Sequence, residues 1–190
     1  MRKILYLVHQ SLDGYIQGPN GEFDWAEMGP ESSDFGQTLN DEADTFLYGR
    51  VVWEMMSGYW PIVESISTDP HDLRFAPIWR ATRKVVVSSA LDRAEHGAEV
   101  IGRRNLAEEI AALKAEPGKN ILLTGGAGLA NTLTGLGLID EYLIFVHPVI
   151  LGGGKPVFRA DDIRHTLRLT DSRTLDARTV LLRYERAAGE

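Results

Sequence analysis

The chain has 190 residues, 44% of them hydrophobic, a formal net charge of −7 and no cysteine. That length and apolar content can bury one substantial core. The acidic balance argues against a nucleic-acid surface, since the basic residues are scattered and Arg103–Arg104 is their nearest approach to a patch. Without cysteine there is no disulfide framework, no thiolate metal site and no cysteine nucleophile, and a reducing, cytoplasmic setting is the expectation.

From the N-terminus, Met1-Arg2-Lys3 leads into an apolar run, Ile4 to Val8, too short for a signal-peptide core or a membrane span. An unbroken run of this kind is expected of a strand buried on both faces. It delivers Ser11-Leu12-Asp13-Gly14-Tyr15-Ile16 to its C-terminal end, where ligands gather in open α/β sheets. Gly18-Pro19-Asn20-Gly21 is a turn, followed by Phe23-Asp24-Trp25, an aromatic pair that either caps the edge of the core or borders a ligand. Ser33 to Ala43 is expected to be helical, with Ser32 or Ser33 as its cap and Asp34 in the first turn. Thr45 to Tyr48 forms a strand ending at Gly49-Arg50, and Val51 to Met56 opens another helix. Arg50 thus opposes a helix dipole, which suits an anionic ligand shared with the helix or else marks a plain solvated arginine.

Pro61 to Pro77, rich in Pro, Ser, Thr and Asp, reads as a long loop, either a surface loop or a flap. Arg83 to Ser89 is a third apolar strand ending in two hydroxyls, and Gly97 to Gly102 is a shorter one. Asn105-Leu106-Ala107-Glu108 has the form of a capping box, with Leu106, Ile110 and Leu113 on one helical face until Pro117-Gly118. Ile121, Leu122 and Leu123 then run into Thr124, Gly125, Gly126 and Gly128, before Leu129, Leu133 and Leu136 recur at helical spacing. This strand, glycine turn and helix either leaves backbone N–H groups open to a phosphate or uses its glycines only for positive φ. Glu141 to Leu151 reads as a long strand, and Leu167, Leu169, Val180, Leu182 and Tyr184 alternate around Asp176-Ala177 as a closing antiparallel hairpin. The expected class is α/β, one domain over residues 1–190, with helices on both sides of a mixed sheet.

Several motifs fail on inspection. Gly126-Ala127-Gly128-Leu129-Ala130-Asn131 lacks the third glycine of a dinucleotide fingerprint, and Glu141 lies at the wrong end of its strand to bind a ribose. Gly152-Gly153-Gly154-Lys155 has Pro156 where a P-loop needs Ser or Thr, and reads as a turn. His9, His71, His96, His147 and His165 show no ligand spacing, so no metal is expected. No Gly-x-Ser-x-Gly elbow is present, and Asp161-Asp162 and Asp41-Glu42 read as solvated faces.

Four pieces in order, SLDGYI at Ser11 to Ile16, LYGRVVWE at Leu47 to Glu54, VVSS at Val86 to Ser89 and ILLTGGAGLANTL at Ile121 to Leu133, resemble the dihydrofolate reductase superfamily. The similarity is closer to the reductase domain of riboflavin biosynthesis proteins and spans nearly the whole chain, including HPVILGGGKPVF. It implies a dihydrofolate reductase-like α/β/α fold, a mostly parallel sheet ending in the antiparallel hairpin, and NADPH as cofactor. On this resemblance Gly49, Arg50, Ser88 and Ser89 meet the 2′-phosphate. Val51 and Val52 approach the pyrophosphate from one side, and Gly125, Gly126, Ala127, Gly128 and Leu129 from the other. Ile16 borders the nicotinamide, and Phe23 and Trp25 the substrate.

For proton delivery the nearest match is Asp34, then Asp13, which otherwise steadies its own turn, and His9, which otherwise is a core histidine. Thr124 stands where riboflavin-type reductases carry an acid, and Gln37 to Asn40 lacks their phosphate-binding Arg. Zero cysteines rule out the zinc deaminase partner of the bifunctional proteins. The implied protein is a stand-alone NADPH-dependent reductase transferring hydride to a C=N or C=O carbon of a small pteridine- or pyrimidine-like molecule. The alternatives are 5-amino-6-(5-phosphoribosylamino)uracil reductase, dihydrofolate reductase, or a non-catalytic nucleotide-binding domain. Family members often dimerise near the C-terminal strands, which the apolar length of Tyr142 to Ile150 permits.

Overall fold

The computed structural model describes residues 1–159 and 164–187, so Asp161-Asp162 lie outside the described residues. Its centre is β1, Ile4–Ser11, held between two parallel neighbours, β6 (Asn120–Thr124) and β7 (Glu141–His147). Around them stand β3 (Ala43–Gly49), β4 (Arg83–Val87), β5 (Glu99–Ile101), β9 (Leu167–Leu175) and β10 (Thr179–Arg186) in the order β5-β4-β3-β6-β1-β7-β10-β9. The first six are parallel, and β10 and β9 close the sheet antiparallel. This is the mostly parallel, dihydrofolate reductase-like sheet that the motifs imply. A two-stranded ribbon, β2 (Tyr15–Gln17) with β8 (Lys155–Pro156), sits beside it.

Both faces of the sheet are covered, which is why its strands read as unbroken apolar runs. Ile4, Tyr6, Val8, Leu47, Val85, Ile121 and Leu123 pack under α4 (Leu106–Ala115) and α5 (Ala127–Gly135). Leu5, Phe46, Tyr48, Val86 and Leu122 point the other way. They meet α1 (Pro30–Glu42), α2 (Arg50–Tyr59) and α3 (Pro70–Ala81) through Leu39, Trp53 and Trp79. Among the described residues no helix is long and apolar enough to cross a membrane.

Buried charges gather at the N-terminal edge of the strands. Arg2, 5% exposed, donates to the Lys119 carbonyl and Thr45 hydroxyl and pairs with Asp44. Glu141, 4% exposed, is held by Lys3 and Arg183. Burial alone pushes the Glu141 carboxyl up, but those hydrogen bonds outweigh it and leave the pKa low. This edge is therefore fastened, and the opposite edge is where the chain opens.

Four readings of local structure need correction. Pro61 to Pro77 is not a continuous loop: it holds a short 3₁₀ turn, Val63–Ser65, and the first part of α3. Asp69 caps α3 by accepting from the His71 N–H at 2.8 Å, and Pro70 fits the first helical position, so these turn-formers are start signals. Pro77 lies inside α3, where it has no N–H to donate to the carbonyl of Leu73, a solvent-facing residue.

The cap of α1 is not Ser32 or Ser33. Gly29 occupies the cap position, and the Asp176 carboxylate accepts from the N–H groups of Glu31 and Ser32 at 2.8 and 3.0 Å. Asn105 precedes α4 without a side-chain capping bond, so the box is not formed. Strand β7 ends at His147, and its apolar length is explained by its place inside the sheet between β1 and β10 rather than by an exposed subunit face. The hairpin lies where expected, with Asp176 and Ala177 at φ 55° and 52°, as a tight two-residue reversal requires.

Candidate functional site

Helices α2 and α5 start where two adjacent parallel strands end. The register sets Leu47 beside Leu123, so β3 and β6 release their chains side by side, through Gly49 into α2 and through Gly125–Gly126 into α5. Neither helix has a side-chain cap, so the first N–H groups of both remain open to a ligand. Gly125 and Gly126 adopt φ 56° and 69°. A Cβ on Gly126 would come within 2.7 Å of Val52 Cγ2, so the two turns are packed as closely as a glycine allows.

Beside these turns opens a cleft of about 290 Å³. Of the residues singled out in the sequence, His9, Ile16, Phe23, Val51, Val52, Gly125 and Gly126 line it. Gly49 stands next to Leu129, 3.3 Å from its Cβ by the position of an added methyl. Ala127 and Leu129 are buried in the core beneath α5, so only their backbone can face a ligand, and Gly128 lies between them in the first turn.

Gly49 is level with Val87 in the β3–β4 register, so Arg50 and Ser88–Ser89 leave the sheet as neighbours. Arg50 is exposed and pairs with Glu54 at 2.6 Å, an i,i+4 contact worth only a few tenths of a kcal/mol, roughly 0.3–0.5, and easily exchanged. Ser89 is exposed, while the Ser88 hydroxyl, 4% exposed, accepts from the N–H groups of Ala90 and Leu91 at 3.1 Å. Ser88 therefore shapes this turn and Ser89 is the accessible hydroxyl. Val87 is in turn level with Ile101, which brings Arg103 and Arg104 to the same edge of the sheet.

The two carboxylates do not reach the cleft. Asp34 is on the outer side of α1, its side chain 70% exposed and paired with Arg74 at 2.8 Å. Asp13 accepts from the N–H groups of Leu151 and Gly152 at 3.1 and 2.8 Å, tying the triple-glycine turn to the end of β1. A hydrogen bond from Ser11 and these two amides hold its carboxyl below the usual range. Of its two readings, steadying a turn is the one these contacts support. Trp25 also stands outside the cleft lining. It packs edge-on against His147 at 5.5 Å and Phe23 at 5.4 Å, with its indole N–H buried and unpartnered.

His9 is the candidate that does face the cleft. Its Nδ1 lies 2.8 Å from Nε2 of His147, and its ring stacks on Phe145 at 4.6 Å. Burial, then the neighbouring His147 and His71, push the His9 pKa down to about 3. Burial pushes His147 down to about 4. Both rings are thus neutral at physiological pH. Nδ1 of His147 is sealed without a partner among the described residues, and because a bare buried N–H is the rarer orphan, we assign the proton to His147 Nε2, donating to His9 Nδ1. His9 then carries its own proton on Nε2.

Other lining residues escaped the sequence reading, because α3 was hidden inside an apparent loop. His71, held by the Ser33 hydroxyl at 3.0 Å on Nδ1, stacks over Phe75. Burial lowers its pKa, while Asp72 and Asp69 oppose the shift. Lys155 reaches the rim from β8, since Gly154, whose Cβ would meet the Gln17 carbonyl at 2.1 Å, folds the ribbon against it.

The model of one protein family, the RibD C-terminal domain, matches residues 2–181. The Bacillus subtilis protein YyaP, described as uncharacterized, is 37% identical over 186 residues, covering 96% of this chain and 94% of that one. Among solved structures, the Thermotoga maritima diaminohydroxyphosphoribosylaminopyrimidine deaminase/5-amino-6-(5-phosphoribosylamino)uracil reductase superimposes with a TM-score of 0.68 at 14% identity, over 98% of this chain and 57% of that one. Dihydrofolate reductase from Enterococcus faecalis, solved in complex with NADP(H), gives 0.62 at 15% identity over 97% and 96%. These likenesses establish the fold.

Proposed function

The chain belongs to the RibD C-terminal domain family, and from that premise we propose that it is an NADPH-dependent reductase of a small molecule, acting at a C=N or C=O carbon. The observation that carries this is the pair of uncapped helix N-termini, α2 and α5, facing one cleft from adjacent strands. A pyrophosphate is the ligand that such a pair of open N–H rows accepts, and the glycines at 125 and 126 leave it room. When bound, the cofactor supplies a hydride from its nicotinamide ring.

In this reading the backbone at Val51, Val52, Gly126, Ala127 and Gly128 holds the pyrophosphate. Arg50 and Ser89 take the 2′-phosphate, with Arg103 and Arg104 adding positive charge along the same edge. Ile16 and Val8 form an apolar wall that excludes water from the nicotinamide. His9 and His71 supply the hydrogen bonds for the substrate's heteroatom. His9, neutral well below pH 7, serves as a hydrogen-bond donor rather than as an imidazolium acid, so His71 is the better candidate to pass on a proton.

The physiological assembly we propose is a homodimer. Its contact would run along the β9–β10 hairpin at the sheet edge rather than β7, since Leu169 on β9 and Val180 on β10 are exposed. Calorimetric titration tests the cofactor assignment: NADPH should bind at least tenfold more tightly than NADH, and equal affinities would overturn it.

A further inference from the structure

The substrate half of the cleft has an unusual composition for the reactions that the fold is best known for. Among the described residues, no Asp, Glu or Arg lines it. Ring systems with a protonated nitrogen are held by a buried carboxylate, and none is present. A sugar phosphate brings a charge close to two, and the lining offers it only Lys155 at the rim. Three thioethers, Met28, Met55 and Met56, and the rings of Trp60 and Phe75 line it instead. Methionine adapts to flat, polarizable partners without specifying a charge.

One backbone feature shows where such a partner would lie. Gly36 sits in the interior of α1, where glycine is disfavoured relative to alanine, yet among the described residues a Cβ added there would meet nothing within 4 Å. No packing constraint or positive φ accounts for it. Gly36 also lines the cleft, four residues before Asn40, which lines it too, and three after Ser33, whose hydroxyl holds His71. Successive turns of α1 therefore hold the α3 histidine that lines the cleft, leave a bare stretch of backbone and present an amide.

Resting on the reductase reading, we infer that this half of the cleft takes a flat, uncharged and mostly apolar carbonyl compound. Its ring lies against the backbone of Gly36, with His71 and Asn40 as hydrogen-bonding partners. Phosphorylated pyrimidines and protonated pterins are disfavoured there.

Equilibrium dialysis with indanone, a flat bicyclic ketone, tests the inference on the whole chain, alongside dihydrofolate and ribose 5-phosphate and with NADPH measured separately. Indanone should bind saturably and the two charged probes should not. Gly36→Ala should weaken indanone binding tenfold or more, change NADPH affinity less than twofold and raise the melting temperature, since the methyl favours the helix while filling the ligand's place. Absent indanone binding, tighter binding of either charged probe, or unchanged indanone binding in Gly36→Ala would overturn it. If indanone behaves as expected but NADPH does not bind, the subsite stands and the cofactor reading falls.

Discussion

His9 Nδ1 and His147 Nε2 stand 2.8 Å apart at the C-terminal ends of neighbouring strands, two neutral rings joined by a hydrogen bond, with His9 facing the cleft. Their folded pKa values, about 3 and about 4, lie below the ordinary 6.5. The unfolded chain therefore binds more protons between those limits, and stability falls as pH drops from about 6.5 towards 4. The expected slope is up to about 1.4 kcal/mol per pH unit for each ring, and His147→Gln should flatten it. Urea titrations across that range measure it, and a flat wild-type profile would count against two neutral buried rings.

Among the described residues Arg50 pairs with the exposed Glu54, a contact its guanidinium can exchange for a phosphate. Arg50→Ala should weaken NADPH by about tenfold and leave NADH nearly unchanged, the loss expected for one charge-assisted contact at a solvent-facing site. Isothermal titration with both nucleotides checks this.

Gly126 combines φ 69° with a 2.7 Å approach of its would-be Cβ to Val52. Gly126→Ala should cost about 2 kcal/mol of stability, through left-handed backbone and the clash together, and should weaken NADPH by moving α5 away from α2. A combined melting and titration experiment reads both effects.

The Asp176 carboxylate accepts two α1 amides, at 2.8 and 3.0 Å. Asp176→Ala should lower stability by about 1 kcal/mol and increase amide exchange in the first turn of α1. Hydrogen exchange localises the effect.

Much of the frame was legible because the physics is local. Buried strands announce themselves as runs such as Ile121 to Leu123, and the hairpin turn as Asp176-Ala177. The edge where α2 and α5 begin was legible for the same reason, since Gly49, Gly125 and Gly126 serve backbone shape near their own positions. The opposite side of the cleft was not. Pro70 and Asp69 look alike in a loop and at a helix start, so α3 and its His71 were hidden. Asp34 was one helical face away from the cleft, a difference of orientation that a first-turn assignment does not resolve. Gly36 gave no signal, because only the open space beside it distinguishes it from a helix defect.

The capping of α1 by Asp176 spans 145 positions of sequence. A chain emerging from the ribosome exposes α1 early, with its first turn unsecured until the β9–β10 hairpin has been synthesised and has closed. The wall that carries Ser33, Gly36 and Asn40 is therefore completed only after the hairpin forms. Fragments ending before the hairpin should collapse around β1 without presenting a finished pocket, so ligand recognition waits for the hairpin.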